Sequence, residues 1–169
     1  CLGASCTTFA QTSAAATYPS KPIRLLVGFA PGGGTDSAAR TIAVKLSELV
    51  GQTVVVDNRP GASGNLAAEL VARAQDDHTL GVVINGNLTT ARMLNPQLPF
   101  DPARDLSLLS LLTTAPLALV VPAELPGGRA FFEAAVQQGD RWNYGSVGAG
   151  SVAHLGMELL KLRLPGLQP

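Results

Sequence analysis

From residue 23 onward the chain alternates short, β-rich apolar runs with stretches in which apolar residues recur at helical spacing. Residues 23–29 (IRLLVGF) predict a strand preceded by proline and followed by a Gly-rich turn. Residues 36–50 then set Ala39, Ile42, Ala43, Leu46, Leu49 and Val50 on one helical face, and Gly51 supplies the stop. A second strand is expected over residues 53–57, apolar enough to be covered on both faces. Beyond the turn at residues 58–61, residues 64–74 return to helical spacing through Leu66, Ala67, Leu70, Val71 and Ala74. A third strand over residues 79–84 runs into the polar turn Asn85-Gly86-Asn87. This β-α-β-α-β order favours an α/β fold with a parallel sheet.

The middle of the chain is broken into turns and short helical pieces by Pro96 and Pro102. A further strand is expected at residues 117–121 (LALVV), ended by Pro122, and a helix at residues 129–138. A short strand around Trp142-Asn143-Tyr144 leads into a second Gly/Ser turn, residues 145–151. A last helical pattern passes through Val152, Leu155, Leu159 and Leu162 and stops at Pro165-Gly166.

Residues 1–17 (CLGASCTTFAQTSAAAT) are small and uncharged, and the character changes abruptly at Tyr18-Pro19. This is how the end of a secretory signal peptide reads, with a cut expected after Ala16. Its removal takes both cysteines, Cys1 and Cys6, and with them any disulfide or thiol chemistry. The alternative is a lipoprotein anchored through Cys1. No run reaches the length of about 18 apolar residues that a membrane-spanning helix needs.

Twelve basic residues balance twelve acidic ones, so no broad positive field exists to attract nucleic acid. An anion must be held by local donors instead, and the two Gly-rich turns offer them. Gly32, Gly33 and Gly34 lack Cβ, and the helix starting near Asp36 leaves its first N–H groups without intrahelical partners. The competing reading is a tight βα turn with Asp36 as a simple cap. The second turn repeats the chemistry with Gly145, Ser146, Gly148, Gly150 and Ser151. There Ser151 is placed to cap the helix or to bond a ligand oxygen, and His154 faces either the ligand or the sheet.

Enzymatic motifs do not fit. The first turn lacks the Lys-Ser/Thr of a P-loop, and neither turn is a dinucleotide fingerprint in the right setting. No G-x-S-x-G surrounds Ser63, Ser146 or Ser151, and His78 and His154 lack zinc-site spacing. Asp76-Asp77 beside His78 reads as a solvated surface at a helix-to-strand turn. These residues predict a binding protein rather than an enzyme, with no metal or cofactor site.

The run from Tyr18 through Phe29-Ala-Pro-Gly-Gly-Gly-Thr-Asp36 with Arg40 resembles the opening of the tripartite tricarboxylate transporter receptors, also called the Bug family. The resemblance continues through Gly51-Gln52, Val54 to Ala62, Asn95-Pro96, Asp101-Pro102, and Tyr144-Gly145-Ser146 with Gly148, Gly150, Ser151 and His154. It departs from the family at Gln75-Asp76-Asp77-His78-Thr79, where Pro-Asp-Gly-Tyr-Thr is usual. The resemblance implies a periplasmic-binding-protein-like (type II) fold of two α/β lobes, closing on a small carboxylate by a hinge motion. Residues 18–117 would form a nearly complete first lobe and residues 118–169 part of a second, with the first crossing near 117–121. The implied ligand residues are Phe29, Pro31, Gly32, Gly33, Thr35, Asp36, Asn87 and Thr89 from the first lobe. Ser146, Gly148, Gly150, Ser151 and His154 would face them from the second. The implied setting is the periplasm, with a membrane permease as partner and a monomeric receptor. Family members run well beyond the length of this chain, so a truncated receptor is expected, and one alternative is a fragment without function. A remote alternative is an α/β enzyme handling phosphate or nucleotide.

Overall fold

The computed structural model describes residues 18–169; the expected signal segment and both cysteines lie outside the described residues. Three parallel strands, β1 (Ile23–Val27), β2 (Val54–Asn58) and β3 (Thr79–Val82), form a sheet in the order β2-β1-β3. The first strand in sequence is therefore central, with Leu25 beside Val56 on one side and Leu80 on the other. Helix α1 (Gly34–Val50) joins β1 to β2, and α2 (Asn65–Ala72) joins β2 to β3.

Alternation along β1 assigns its faces. Ile23, Leu25 and Val27 pack with Ala39 and Ala43 of α1, and with Val54 and Val82. Leu26 points the other way and is equally buried. Its register partner Gly81 shares that face, where an added Cβ would sit 2.6 Å from Val71 of α2. Burying Ile23, Leu26 and Val27 contributes roughly 1.5–3 kcal/mol each. Gly51, in the left-handed conformation at φ 70°, ends α1 by donating to the Ser47 carbonyl, as its position in the sequence predicts.

Several expectations are corrected. Val55 is 47% exposed, because only the opposite face of β2, that of Val54 and Val56, packs into the core. Asn85-Gly86-Asn87 is not an open turn but the start of a short helix, α3 (Asn85–Leu88), followed by α4 (Ala91–Leu94). The Asp76-Asp77 pair is exposed, as expected, while His78 beside it is buried.

The largest corrections concern residues 106–169. Residues 117–121 form no strand, and Leu117, Leu119 and Val120 are exposed. Residues 142–144 form no strand either, so among the described residues the sheet has three strands. A strand exists only where a neighbour takes its N–H and C=O groups, and none of the described segments pairs its backbone with these two runs. The helices do appear: α5 (Arg129–Gln138) on the expected boundaries, and α6 (Val152–Arg163). However, the α6 stripe Val152, Leu155, Leu159 and Leu162 is exposed. Phe131 packs edge-on against Phe132 and Trp142, a small aromatic cluster apart from the sheet core.

Candidate functional site

The carboxyl ends of parallel strands are where α/β folds place their ligands, because turns and helix N-termini converge there. At the end of β1, residues 28–33 lead into α1, whose N-cap Gly33 has no side-chain cap. Asp36 is not a simple cap. It is 2% exposed, and its carboxylate accepts from Gly32 N–H at 2.8 Å, Arg40 Nε at 2.9 Å and Asn58 Nδ2 at 2.9 Å. Arg40 in turn donates to Asn58 Oδ1 at 3.0 Å, and Asn58 Nδ2 also donates to the Phe29 carbonyl. Asp36, Arg40 and Asn58 thus close a triangle that fixes the β1–α1 turn to the end of β2. The Arg40 guanidinium holds the Asp36 carboxyl far below the usual carboxylate range, with Gly32 N–H and Asn58 adding to the effect and burial opposing it.

This network divides the donors of the first turn. Gly32 N–H is taken by Asp36, whereas the N–H groups of Gly33, Gly34 and Thr35 sit at the unpartnered start of a 17-residue helix. Pro31, Gly32 and Gly33 are exposed and Thr35 is half-buried. Nothing lies within 4 Å of where a Cβ would be on Gly32 or Gly34, so the turn is open to an approaching ligand.

A second polar hub lies at the β2–α2 and β3–α3 loops. Asn87 is buried; it accepts from Ile84 N–H and donates to the Ser63 carbonyl and Asn65 Oδ1. Its amide is fully engaged in joining the two loops. Ala62 and Ser63 have φ of 48° and 55°, a strained left-handed pair held in place by these contacts. Thr89 is exposed and donates back to the Asn85 carbonyl.

The second Gly/Ser turn rests against these loops. Thr90 Oγ1 donates to the Gly150 carbonyl at 2.7 Å, and Gly86 lies so close that a Cβ there would be 2.7 Å from the same oxygen. Gly148 lies against Ser63, and Ser146 Oγ accepts from Gly148 N–H. Ser151 is buried and caps α6 by accepting His154 N–H at 3.2 Å. His154 folds back to accept Gly150 N–H on Nδ1 at 3.0 Å. Both turns therefore share one device: a side chain from the first turn of the following helix accepts an N–H four residues back, Asp36 from Gly32 and His154 from Gly150.

Asn87, Gly150 and Ser151 line a common cavity with Ser63, Asn65 and Thr90. Its volume of about 10 Å³ is that of a single water at most. None of residues 29–36 lines it. The structure thus brings the second-turn residues to Asn87, while Phe29, Pro31, Gly32, Gly33, Thr35 and Asp36 form a separate group around the first turn. Phe29 bridges the surroundings of both: its ring meets Gly64, where a Cβ would be 3.0 Å from the ring edge. Sequence reasoning missed Ser63, Asn65 and Thr90 as neighbours of the second turn. It also missed the roles of Arg40 and Asn58, although the Asp36/Arg40 spacing of four residues is a visible signal.

Comparison with known proteins places the chain in a family. The family described as tripartite tricarboxylate transporter family receptor matches residues 38–168. A UPF0065 protein from the tcbD–tcbE intergenic region of Pseudomonas sp. strain P51 is 39% identical over 149 residues, covering 86% of this chain and 44% of that protein. MatC of Rhodopseudomonas palustris, solved with bound malate, superposes with a TM-score of 0.77 at 34% identity, covering 87% of this chain and 51% of MatC. Rpa4515 of R. palustris, solved with adipate, gives 0.74 at 31% identity, over 89% of this chain and 51% of that one. The chain spans about half the length of the relatives it matches. With a family match over most of its length, the chain belongs to the tripartite tricarboxylate transporter receptor family.

Proposed function

We propose that the protein serves as an extracytoplasmic receptor that captures a small carboxylate and delivers it to a membrane transporter. The observation that carries this reading is the open β1–α1 turn. There the N–H groups of Gly33, Gly34 and Thr35 stand free at a helix start, while Asp36, Arg40 and Asn58 hold the loop rigid. Backbone donors held in place beforehand lower the ordering cost of binding. The solved relatives with malate and adipate both carry dicarboxylates, which supports an anionic ligand of that size.

In this reading Phe29, Pro31, Gly32, Gly33, Thr35 and Asp36 shape one jaw, with Asn87 and Thr89 beside it. Ser146, Gly148, Gly150, Ser151 and His154 belong to the opposing jaw. Capture between two lobes uses the whole receptor fold, of which these residues supply about half. The protein acts in the periplasm as a monomer, hands its ligand to a permease, and carries out no reaction of its own.

Isothermal titration of the full-length receptor against malate, adipate, citrate, glutamate and a neutral sugar tests the proposal. Saturable binding of at least one carboxylate, weakened by Gly33→Pro, is the expected result. A protein that binds none of the acids sinks it.

A further inference from the structure

The Asp76-Asp77-His78 cluster lies at the opposite end of the sheet from the proposed site, and that function leaves it unused. His78 is only 5% exposed. Its backbone is pinned in the sheet, since its carbonyl accepts Arg24 N–H at 2.8 Å and its own N–H donates to Asp76 Oδ1 at 3.0 Å. The ring is engaged at both nitrogens. Nε2 accepts the Ser20 N–H at 3.0 Å, so Nδ1 carries the proton and donates to Asp77 Oδ1 at 2.7 Å. Tyr18 covers the ring at a centroid distance of 4.9 Å and donates its hydroxyl to the Asp77 carbonyl. Lys21 completes the strap through Asp76 Oδ2 at 3.1 Å.

We propose that His78 is a pH-operated latch for residues 18–21, holding that segment against the sheet while its imidazole is neutral and releasing it on protonation. A proton added at Nε2 removes the lone pair that Ser20 N–H uses and sets two N–H groups against each other at 3.0 Å. The groups facing the ring decide which side yields. Asp77 keeps its bond to Nδ1 and Asp76 holds the His78 backbone, so the ring stays in place. Arg24 on the neighbouring strand contributes only its backbone here, its guanidinium being bound to Asp57. The conflict is therefore relieved by the strap. The half-exposed Lys21–Asp76 pair is too weak to hold it alone, and the Tyr18 hydroxyl bond is exposed.

Amide exchange and ring resonances of the ¹⁵N-labelled full chain, followed from about pH 8 to 5, test the latch across the range where imidazoles titrate. The Ser20 protection factor, corrected for intrinsic exchange, is expected to fall about five- to tenfold, the loss of one hydrogen bond. Its midpoint should coincide with that of the His78 ring, and Arg24 protection should not change. In His78→Gln, whose side-chain oxygen accepts but does not titrate, Ser20 stays protected at every pH. In His78→Leu it is unprotected at every pH; if that variant does not fold, shown by loss of Arg24 protection, the wild-type and His78→Gln comparison decides alone. A Ser20 amide that ignores the His78 titration, a ring that does not titrate in this range, or pH dependence surviving in His78→Gln overturns the proposal.

Discussion

Asp36 and Asn58 are joined by a 2.9 Å hydrogen bond between residues 22 apart in sequence, and the shape of the β1–α1 turn depends on it. Asn58 also holds the Phe29 carbonyl and receives Arg40, so Asn58→Ala removes three partners at once. Its loss is expected to cost about 1–3 kcal/mol in urea unfolding, the range for stranding engaged polar groups. In the full-length receptor the same change should weaken carboxylate binding without altering which carboxylates bind. An unchanged unfolding midpoint would show that the triangle does not fix the turn.

The same network has an acid limit. Asp36, Asp57 and Asp76 all have carboxyls held below their ordinary range, Asp36 chiefly by Arg40, Asp57 by Arg24 and Asp76 by Lys21. A depressed folded-state pKa contributes stability that is complete above the unfolded value of about 3.9 and fades as pH falls toward the folded value. The carboxylate contribution to stability should therefore be level from neutral pH to about 5 and decline below about 4. Asp36→Asn should flatten part of that acid limb in a melting-temperature profile, and an unaltered limb would contradict the assignment.

Two glycines of the same loop should respond in opposite ways. A Cβ on Gly28 would lie 2.6 Å from the Gly64 Cα and 2.8 Å from its carbonyl oxygen, and backbone cannot step aside as a side chain can. Gly28→Ala should destabilise by about 1–3 kcal/mol. Gly34, at the first position of α1 with open space around it, should accept alanine with no loss and a gain of at most about 1 kcal/mol. Equal effects in chemical denaturation would contradict the close approach of the β1 end to the β2–α2 loop.

Adjacent threonines separate a structural contact from a surface one. Thr90→Val removes the donor to the Gly150 carbonyl and should cost about 0.5–1.5 kcal/mol, with faster amide exchange across residues 148–151. Thr89→Val, at an exposed hydroxyl bonded within its own helical turn, should stay within about 0.5 kcal/mol. Any loss of ligand affinity in Thr89→Val at unchanged stability would then report direct contact with the carboxylate.

Residues 108–120 present Leu108, Leu109, Leu111, Leu117, Leu119 and Val120 to solvent in an extended, β-prone run. Contiguous apolar surface of this kind drives association. The 169-residue chain should bind a hydrophobic dye and scatter light at micromolar concentration, and Leu119→Lys with Val120→Lys should suppress both. A monodisperse, dye-silent chain would exclude that behaviour.

The contrast between residues 23–82 and 106–169 shows what a pattern can convey. Strand β1 and its two neighbours were legible because each apolar run sits beside a helix whose spacing supplies the covering face, all within 60 residues. At residues 117–121 the pattern carried the same β preference, but it cannot specify a hydrogen-bonding neighbour, and none of the described segments provides one. The candidate site divides in the same way. Its glycines and helix starts were visible as local chemistry, whereas Asn58 reaching Asp36 and Thr90 reaching Gly150 are meetings between distant segments that no local signal announces.

The engagement of Arg40 with Asp36 has a consequence for how the first turn meets an approaching anion. With that cation already spent, the first turn greets a ligand with neutral peptide dipoles whose attraction acts over a few ångströms rather than across a Debye length. If the proposed function holds, capture at such a site should stay nearly constant as ionic strength changes.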